Sequence, residues 1–241
     1  MSWFKDWFNS PYYHLLYQHR SEAEAETFIA RLLDFLKPHP NARLLDLACG
    51  KGRHARFMAR KGYHVTGIDL ASESIALAQN SAHERLQFEV GDMRNIGKEK
   101  AFDYVFNFFT SFGYFDQTAD NLLVLRSVHQ ALVPNGYLLI DFLNVPFAEN
   151  HLRTHETQII NGISFAIERH KTANHFVKKI TITDKEQQLY FSEKVQAITL
   201  AEFETYLAAE NFALEQVWGN YQLAPYEAQT SDRLIMLARA V

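Results

Sequence analysis

The sequence predicts an α/β fold: a doubly wound, mostly parallel seven-stranded sheet with helices on both faces and an antiparallel β-rich insertion after strand 5. Three observations carry this prediction. Apolar strand-like runs alternate with amphipathic segments between residues 42 and 144, and the connections between them are short. Between residues 145 and 199 the helical period is replaced by short β-rich pieces.

The first elements follow from the spacing of apolar residues. Residues 21–36 place Phe28, Leu32 and Leu33 at helical spacing behind an acidic first turn, and "PHPN" ends that helix. "ARLLDLA" is typical of a buried strand. The helix "RHARFMARK" then ends at Gly62, a residue suited to a left-handed cap.

The alternation continues through four more strands of the parallel sheet. The segments that carry it are the strands "YHVTGID", "LQFEVGD", "FDYVFNFF" and "YLLIDFLN" and the helices "SESIALAQNSA" and "QTADNLLVLRSVHQAL", with "VPNG" as the turn before the last strand. Strands joined through helices indicate βαβ units, whose crossover is right-handed.

The later part of the chain changes character. Its β-rich pieces are joined at "NG", "TAN" and "DKEQQ", which suit hairpin turns. The helix "AEFETYLAAENF" and the strands "ALEQVWGNY" and "RLIMLARA" then complete the sheet. A β-rich excursion at the carboxyl edge of a parallel sheet lies where such sheets bind ligands, so we expect a lid or substrate platform.

Composition limits the classes of function. The chain has 241 residues, a net charge of −4 and a pI of about 6.3, so no overall basic field favours nucleic acid or an anionic membrane. One cysteine excludes an intramolecular disulfide and fits a reducing compartment. The aromatic N-terminus is interrupted by Lys5, Asp6 and Pro11, unlike a signal peptide or membrane span, so a cytoplasmic protein is expected. No pattern of metal ligands stands out, and no metal is expected.

The stretch "LLDLACGKGRHARFMARKGYHVTGIDLA" carries the chemistry. Gly50 and Gly52 allow a sharp turn and close approach of a ligand to backbone N–H groups. The helix that begins near Arg53 offers a positive dipole end to an anion. Asp69 at the end of the second strand is placed to bond ribose hydroxyls. These features imply a ligand with a ribose and a carboxylate or phosphate.

Two kinds of ligand fit that description, a dinucleotide and S-adenosylmethionine. The dinucleotide pattern G-x-G-x-x-G lacks its third glycine here, and no Walker-type G-K-[ST] is present. Asp46, two residues before the loop, is also unlike the dinucleotide pattern.

At these residues the chain resembles the class I S-adenosylmethionine-dependent methyltransferases, which have a Rossmann-like fold. Their first motif, D-x-G-x-G-x-G, is matched from Asp46 to Gly52, with Ala48 where glycine is usual. "GIDLA", "GDMR", "FDYVFNFFTSFGYF" and "LVPNGYLLIDFLN" are similar to the second to fifth motifs, in the same order.

The resemblance implies S-adenosyl-L-methionine as cofactor and S-adenosyl-L-homocysteine as product. It places Asp69 on the ribose, Asp92 near the adenine amino group and Met93 on the ring. The cofactor-binding residues it implies are Tyr13, Arg20, Asp46, Ala48, Cys49, Gly50, Gly52, Asp69, Leu70, Asp92, Met93, Arg94, Asn107 and Phe108.

The N-terminal "SPYYHLLYQHR" is similar to the lid of small-molecule and aminosugar N-methyltransferases. By this likeness Tyr13 covers the cofactor and Arg20 pairs with the methionyl carboxylate; an amphipathic helix packed on the domain is the alternative. One helical face carries Trp3, Phe4, Trp7 and Phe8, and we expect it to pack on the domain, with a homodimer or lid contact as the alternative.

Tyr13, His14 and Tyr114 are the candidate catalytic residues. Ser111, Phe112 and Gly113 are expected, with Tyr114, to face the acceptor, while Asn107 and Phe108 line the methionyl end. Asp141 and Asn144 either point into the crevice or cap a turn. Tyr221, Tyr226 and Arg233 are the residues of the C-terminal part that could reach the pocket.

We therefore expect one methyltransferase domain that methylates a small molecule, an amine being the first choice, by in-line transfer. We divide it into an N-terminal helical lid (1–37), a cofactor-binding core (42–144), a substrate or lid insertion (145–199) and a C-terminal completion of the sheet (200–241). A non-catalytic cofactor-binding or interaction protein, a nucleotide-dependent oxidoreductase and an RNA methyltransferase are the alternatives. Neither nucleic acid nor a membrane is an expected partner.

Overall fold

The computed structural model describes residues 3–18 and 22–241. Its helices are α1 (Trp3–Phe8), α2 (Pro11–Leu16), α3 (Glu22–Leu36), α4 (Arg53–Arg60), α5 (Ser72–Ala78), α6 (Thr118–Ala131), α7 (Val145–Asn150) and α8 (Leu200–Ala209). Its strands are β1 (Arg43–Leu47), β2 (His64–Asp69), β3 (Leu86–Val90), β4 (Phe102–Asn107), β5 (Leu132–Leu143), β6 (His155–Ile160), β7 (Ile163–Lys171), β8 (His175–Asp184), β9 (Gln187–Gln196), β10 (Phe212–Trp218) and β11 (Arg233–Ala240). None of these helices is long and apolar enough to span a bilayer.

The larger sheet has seven strands in the order β10-β11-β5-β4-β1-β2-β3. Strands β1 to β5 pair in parallel, and β11 runs antiparallel to both of its neighbours. The chain builds outward from β1 to β3, then returns to β4 on the other side of β1. That reversal opens a crevice beyond the carboxyl ends of β1 and β4, where open α/β sheets bind ligands. The predicted fold class is confirmed.

Each face of this sheet is covered by helices whose apolar stripes continue the core. On one face Leu32 of α3, Met58 of α4 and Ile75 of α5 pack together. On the other, Leu125 of α6 and Phe203 of α8 do the same. Strand β1, "RLLDL", is buried along its length except at its first residue, as a central parallel strand should be.

The β-rich insertion forms a separate four-stranded antiparallel sheet, β6-β7-β8-β9. Asn161 and Gly162 join β6 to β7, and both have positive φ, as a two-residue hairpin turn of the primed type requires. In the segment that precedes this second sheet, the structure differs from the prediction. Strand β5 begins at Leu132 and runs through "VPNG", with Asn135 in the left-handed region, and the short helix α7 precedes β6.

The two N-terminal helices pack on this second sheet rather than on the parallel one. Trp7 of α1 is fully buried, its ring 4.7 Å from that of Phe191 on β9. Trp7 and Leu16 of α2 share a core with Phe165 and Ile182 of the insertion. At Trp7 the aromatic face therefore packs on the domain as expected, and the part of the domain that it contacts is the insertion.

Candidate active site

A cavity of about 850 Å³, its open mouth included, lies at the carboxyl ends of β1, β2 and β3. We call it the strand-end cavity. The predicted residues that line it are Tyr13, Ala48, Gly50, Asp69, Leu70, Asp92, Met93 and Tyr114, together with Ser111. Residues from the N-terminus, from three strand ends and from the segment after β4 therefore meet at one place. A concave, mostly apolar site with a few polar groups is typical of small-molecule binding.

The loop after β1 is held open by left-handed backbone. Ala48, Gly50 and Gly52 have φ values of 63°, 54° and 75°. The Ala48 and Cys49 N–H groups donate to the carbonyl of Ile68, which ties the loop to the end of β2. A Cβ at Gly50 would meet no atom within 4 Å, so this position faces open space. A ligand can therefore approach the loop backbone closely.

Asp69 is fixed by the two loops that flank the crevice. Its Oδ2 accepts from the Gly50 N–H and its Oδ1 from the Ala71 N–H, both at 2.8 Å. Burial raises the pKa of this carboxyl, and the backbone hydrogen bonds oppose that rise. Each oxygen keeps a second acceptor site, so Asp69 can take hydroxyl donors from a ligand in the cavity.

Asp46 lies under the loop instead of in the strand-end cavity, which corrects its expected place at the ligand. It is 1% exposed, and its Oδ2 accepts from the Ala55 N–H at 3.1 Å. Its Oδ1 is buried without a hydrogen-bond partner. Burial, and to a lesser degree the charge of Asp69, raise the pKa of Asp46 to about 7. The carboxyl braces the start of α4 against β1.

Cys49 and Gly52 also lie outside the cavity lining. Cys49 is buried in the core, and burial raises the pKa of its thiol, so the thiol stays protonated. A Cβ at Gly52 would fall 2.3 Å from the Phe88 ring, so this glycine serves close packing of the loop on β3. Their contribution to the site is the shape of the loop.

The segment after β3 carries an ion-pair network behind the cavity wall. Arg94 binds both oxygens of Asp92, at 2.7 to 3.2 Å, and reaches Asp120 on α6 at 2.9 Å. Its guanidinium lies 4.6 Å from the centre of the Phe115 ring. Arg94 lowers the pKa of Asp92 although burial opposes this, so the carboxylate stays ionised. Arg94 itself holds two lining residues in place and does not line the cavity.

Asn107 and Phe108 were expected to line the methionyl end, and the structure places them elsewhere. Asn107 is 2% exposed and donates through Nδ2 to the carbonyl of Leu47, bridging β4 and β1. The Phe108 ring stacks on Phe106 at 5.4 Å in the core. Phe112 is likewise buried, against Phe203. The segment turns inward here because Phe108 and Phe112 are large apolar side chains that the core accommodates.

Three aromatic rings close the cavity from above. Phe8 of α1 lies 5.0 Å from Tyr13 of α2 and 5.4 Å from Tyr114, measured between ring centres. The hydroxyl of Tyr17 and the indole N–H of Trp7 both donate to Oε1 of Glu193 on β9, at 2.5 and 2.7 Å. These hydrogen bonds tie the N-terminal helices, which carry Phe8 and Tyr13, to the insertion, and so hold the three rings over the cavity.

His14, a candidate catalytic residue, does not line the strand-end cavity. Its Nε2 is buried without a hydrogen-bond partner. Burial, with a smaller effect of the Lys51 charge, lowers the pKa of His14 to about 4, so the ring is neutral near pH 7. Arg20, expected at the methionyl carboxylate, lies outside the described residues.

A second cavity lies beside the first, and Tyr114 lines both. We call it the Arg233 cavity. Its lining residues are Glu24, Arg53, Phe109, Thr110, Tyr114, Glu193, Val195 and Arg233. It draws on α3, on the start of α4, on the loop after β4, on the insertion and on β11, so five separate parts of the chain meet there.

Asp141 and Asn144 neither face the strand-end cavity nor cap a helix through their side chains. Asp141, fully buried, accepts from Arg233, from the Tyr221 hydroxyl at 3.2 Å and from the Phe109 N–H at 2.9 Å. Asn144 donates to the carbonyls of Ala228 and Ser231 and accepts from the Tyr226 hydroxyl. Both anchor the segment that precedes β11. Of the C-terminal residues, Arg233 reaches a cavity.

Sequence reasoning missed seven lining residues. They are Phe8, Leu47, Ile68, Ala71, Ser74, Gly91 and Phe115. Leu47, Ile68 and Gly91 stand at or next to the ends of parallel strands, and that position could have indicated them. Phe8 was assigned to the apolar N-terminal face, with a lid contact as the alternative, but its place at the cavity depends on how α1 packs on the insertion, which no local pattern indicates. Among the described residues, no group of three or more His, Cys, Asp or Glu could hold a metal ion.

Comparison with known proteins agrees with this geometry. The family model described as a methyltransferase domain matches residues 44–136. Bacillus subtilis (strain 168) YqeM, provisionally named a methyltransferase, is 40% identical over 102 residues. That alignment spans 41% of this chain and 41% of YqeM, less than half the length of this curated relative.

Solved structures match nearly the whole chain. A S-adenosylmethionine-dependent methyltransferase from Clostridium acetobutylicum superposes with a TM-score of 0.80 at 17% identity, over 95% of this chain and 96% of that one. CalS10, an amino pentose methyltransferase from Micromonospora echinaspora determined with S-adenosylmethionine bound, gives 0.70 at 21% identity, over 96% and 98%. At such identities the likeness establishes the fold. Residues 44–136 therefore match a methyltransferase-domain model, and the chain has the fold of these S-adenosylmethionine-dependent methyltransferases.

Proposed function

We propose that this chain binds S-adenosylmethionine in the strand-end cavity and methylates the nitrogen of a small-molecule acceptor. The observation that carries the proposal is Asp69, fixed at the end of β2 by two backbone N–H groups and lining the cavity beside Gly50. A carboxylate held there, against an open glycine loop, suits the hydroxyls of a ribose.

The described residues fit that cofactor. Asp69 would accept from the ribose hydroxyls, and Met93 and Leu70 offer apolar surface to the adenine. Asp92, held ionised by Arg94, would accept from the adenine amino group. The cofactor supplies an electrophilic methyl on a sulfonium, which needs no metal and no nucleophilic residue of the protein.

The protein then has to position the acceptor and exclude water. Transfer would form an N–C bond while the donor's C–S bond breaks with its electron pair left on sulfur, and the amine proton would leave to solvent. Phe8, Tyr13 and Tyr114 enclose the cavity from which the methyl would be delivered. Since His14 stands back from the lining, we assign positioning to Tyr13 and Tyr114 and no proton transfer to His14.

A small amine as acceptor is supported by two features. Tyr114 lines both the strand-end cavity and the Arg233 cavity, and the lining of the latter includes Glu24 and Glu193 as well as arginines. The amino pentose methyltransferase CalS10 shares the fold over nearly its whole length.

The first test is calorimetric titration with S-adenosylhomocysteine. Asp69→Asn keeps the shape of the side chain and removes its charge, and we expect binding to weaken tenfold or more, about 1.4 kcal/mol. Asp103→Asn is the matched control. Asp103 accepts from the Arg43 N–H at the amino ends of β1 and β4, away from the cavity. The affinity of Asp103→Asn for S-adenosylhomocysteine should therefore stay within about twofold of the wild type. Equal binding by wild type and Asp69→Asn would refute the assigned site.

Turnover is tested separately by measuring S-adenosylhomocysteine formed with matched amine and alcohol acceptors. Methylation of amines alone is the expected result. Methylation of the alcohols instead would refute the choice of nitrogen. Cofactor binding without turnover across the panel would indicate a non-catalytic binding protein.

A further inference from the structure

We propose that the acceptor carries a carboxylate besides its amine, and that Arg233 in the Arg233 cavity binds this carboxylate. The inference rests on the proposed function, because it names the class of molecule that this site would methylate. It begins from Arg233, a half-buried cation that strand β11 brings to the cavity wall.

Arg233 is held rigidly on one side. Its Nε donates to Asp141 Oδ1 at 2.8 Å, and its Nη2 lies 2.7 Å from that oxygen and donates to Thr110 Oγ1 at 3.0 Å. Burial works against the charge, but Asp141 outweighs it and holds the pKa of Arg233 above its usual value. The guanidinium is therefore cationic and fixed in orientation.

The Nη1 side of the Arg233 guanidinium remains available to a ligand. Among the described residues nothing accepts a hydrogen bond from Nη1, and the side chain keeps 17% of its surface exposed. A planar guanidinium positioned in advance binds a carboxylate with little further loss of side-chain entropy. Arg53 lines the same cavity, 4.7 Å above the Phe109 ring, and adds a second positive charge.

The rest of the lining suits an amine. Glu24 and Glu193 are acidic, and Tyr114 and Phe109 present aromatic rings. A protonated amine is attracted both by carboxylates and by ring faces before it loses its proton. Tyr114 also lines the strand-end cavity, so a molecule with its carboxylate on Arg233 and its amine near Tyr114 would extend towards the methyl donor.

The backbone of this wall is itself unusual. Phe109 and Thr110 have φ values of 57° and 60°, two consecutive left-handed residues that are not glycine. Their N–H groups bind the side chain and the backbone carbonyl of Asp141. Such strain persists only where surrounding contacts over-determine it, and it is common at ligand sites. The strained turn is what brings Thr110 to Arg233.

The test is titration of the S-adenosylhomocysteine-saturated protein with amino acids, each beside its decarboxylated amine, such as tyrosine with tyramine and histidine with histamine. The wild type should bind at least one acid about tenfold or more tightly than its amine. Arg233→Lys keeps the positive charge but loses the planar guanidinium that binds both oxygens of a carboxylate, so it should reduce that preference to about threefold or less. The affinity for S-adenosylhomocysteine should stay unchanged.

Arg239→Lys is the matched control. Arg239 lies on the same strand, is paired with Glu215 at the far end, and should leave the preference intact. A thermal unfolding curve of Arg233→Lys checks that Asp141 remains paired. The inference is overturned if no acid in the panel binds, if the amines bind as well as the acids, or if the preference persists in Arg233→Lys.

Failure of the proposed function can be told apart from failure of the carboxylate site. If S-adenosylhomocysteine does not bind, the proposed function fails, and the amino acids and amines are then titrated into the protein alone. A preference for acids that Arg233→Lys abolishes would still support the carboxylate site.

Discussion

Gly52 is the position where one added methyl group tests the packing of the loop. Its φ of 75° is left-handed, which costs alanine about 1–2 kcal/mol. Its Cβ would also lie 2.3 Å from Phe88 Cε1. The Phe88 ring has little room to move, because it is buried and packs so closely on Gly67 that an added Cβ there would lie 2.6 Å from its Cδ1.

The expected loss in the free energy of unfolding follows from these contacts. Backbone strain of about 1–2 kcal/mol and overpacking of about 1–3 kcal/mol add. The smaller unfolded-state entropy of alanine offsets about 0.5–1 kcal/mol. We expect Gly52→Ala to destabilise the protein by about 3 kcal/mol, within a range of about 1–4.5 kcal/mol. Urea denaturation measures this loss, with the slope of the transition checked against wild type.

Gly62→Ala is the control, since Gly62 also has positive φ but no atom within 4 Å of the added Cβ. It should cost about 1 kcal/mol, from strain alone. Phe88→Leu should relieve part of the loss in the double variant and leave a favourable coupling between the two sites. The reasoning is refuted if Gly52→Ala costs no more than Gly62→Ala.

Two further predictions concern the same loop. Because Asp46 has its pKa raised to about 7, the native state binds more protons than the unfolded state between about pH 4 and 7, and wild-type stability falls as the pH rises through that window. Asp46→Asn cannot ionise, so its unfolding free energy relative to wild type should rise by up to about 1.4 kcal/mol per pH unit there. Urea titrations at several pH values check this, and parallel profiles would contradict it. Ala48 has a φ of 63°, so Ala48→Gly should raise the unfolding free energy by about 0.5–1 kcal/mol in the same assay, and a loss would show that the Ala48 methyl group packs favourably.

The parallel core could be predicted closely because its signals are local. Apolar runs of strand length, glycines at turns and periodic helices identify β1 to β4 and α3 to α6, and β11 falls on the predicted "RLIMLARA". Helix α7 was missed because its six residues follow directly after a strand, carry proline in second place and give no helical period. The bulged start of β5 depends on pairing with β4 and not on its own residues.

The same distinction between local and distant signals applies to the candidate site. Residues at strand ends and in the glycine loop were predicted to meet at one place, because the topology of the sheet alone brings them together. Asn107 and Phe108 were misplaced because sequence does not show which side chains of a strand turn into the core. The pairing of Arg233 with Asp141 joins residues 92 positions apart, and no local pattern indicates it.

The two cavities draw on different stretches of the chain, and this has an evolutionary consequence. Most of the strand-end cavity comes from the segment that the family model matches, whereas Glu24, Glu193 and Arg233 lie outside that segment and do not line the strand-end cavity. Under the proposed function, substitutions at Glu24 or Arg233 would alter which acceptor is methylated while the residues that line the donor pocket stay the same, whereas Glu193 also anchors Trp7 and Tyr17. On that assignment, the acceptor would change in the course of evolution through residues outside 44–136, while the segment that matches the family model continues to hold the donor.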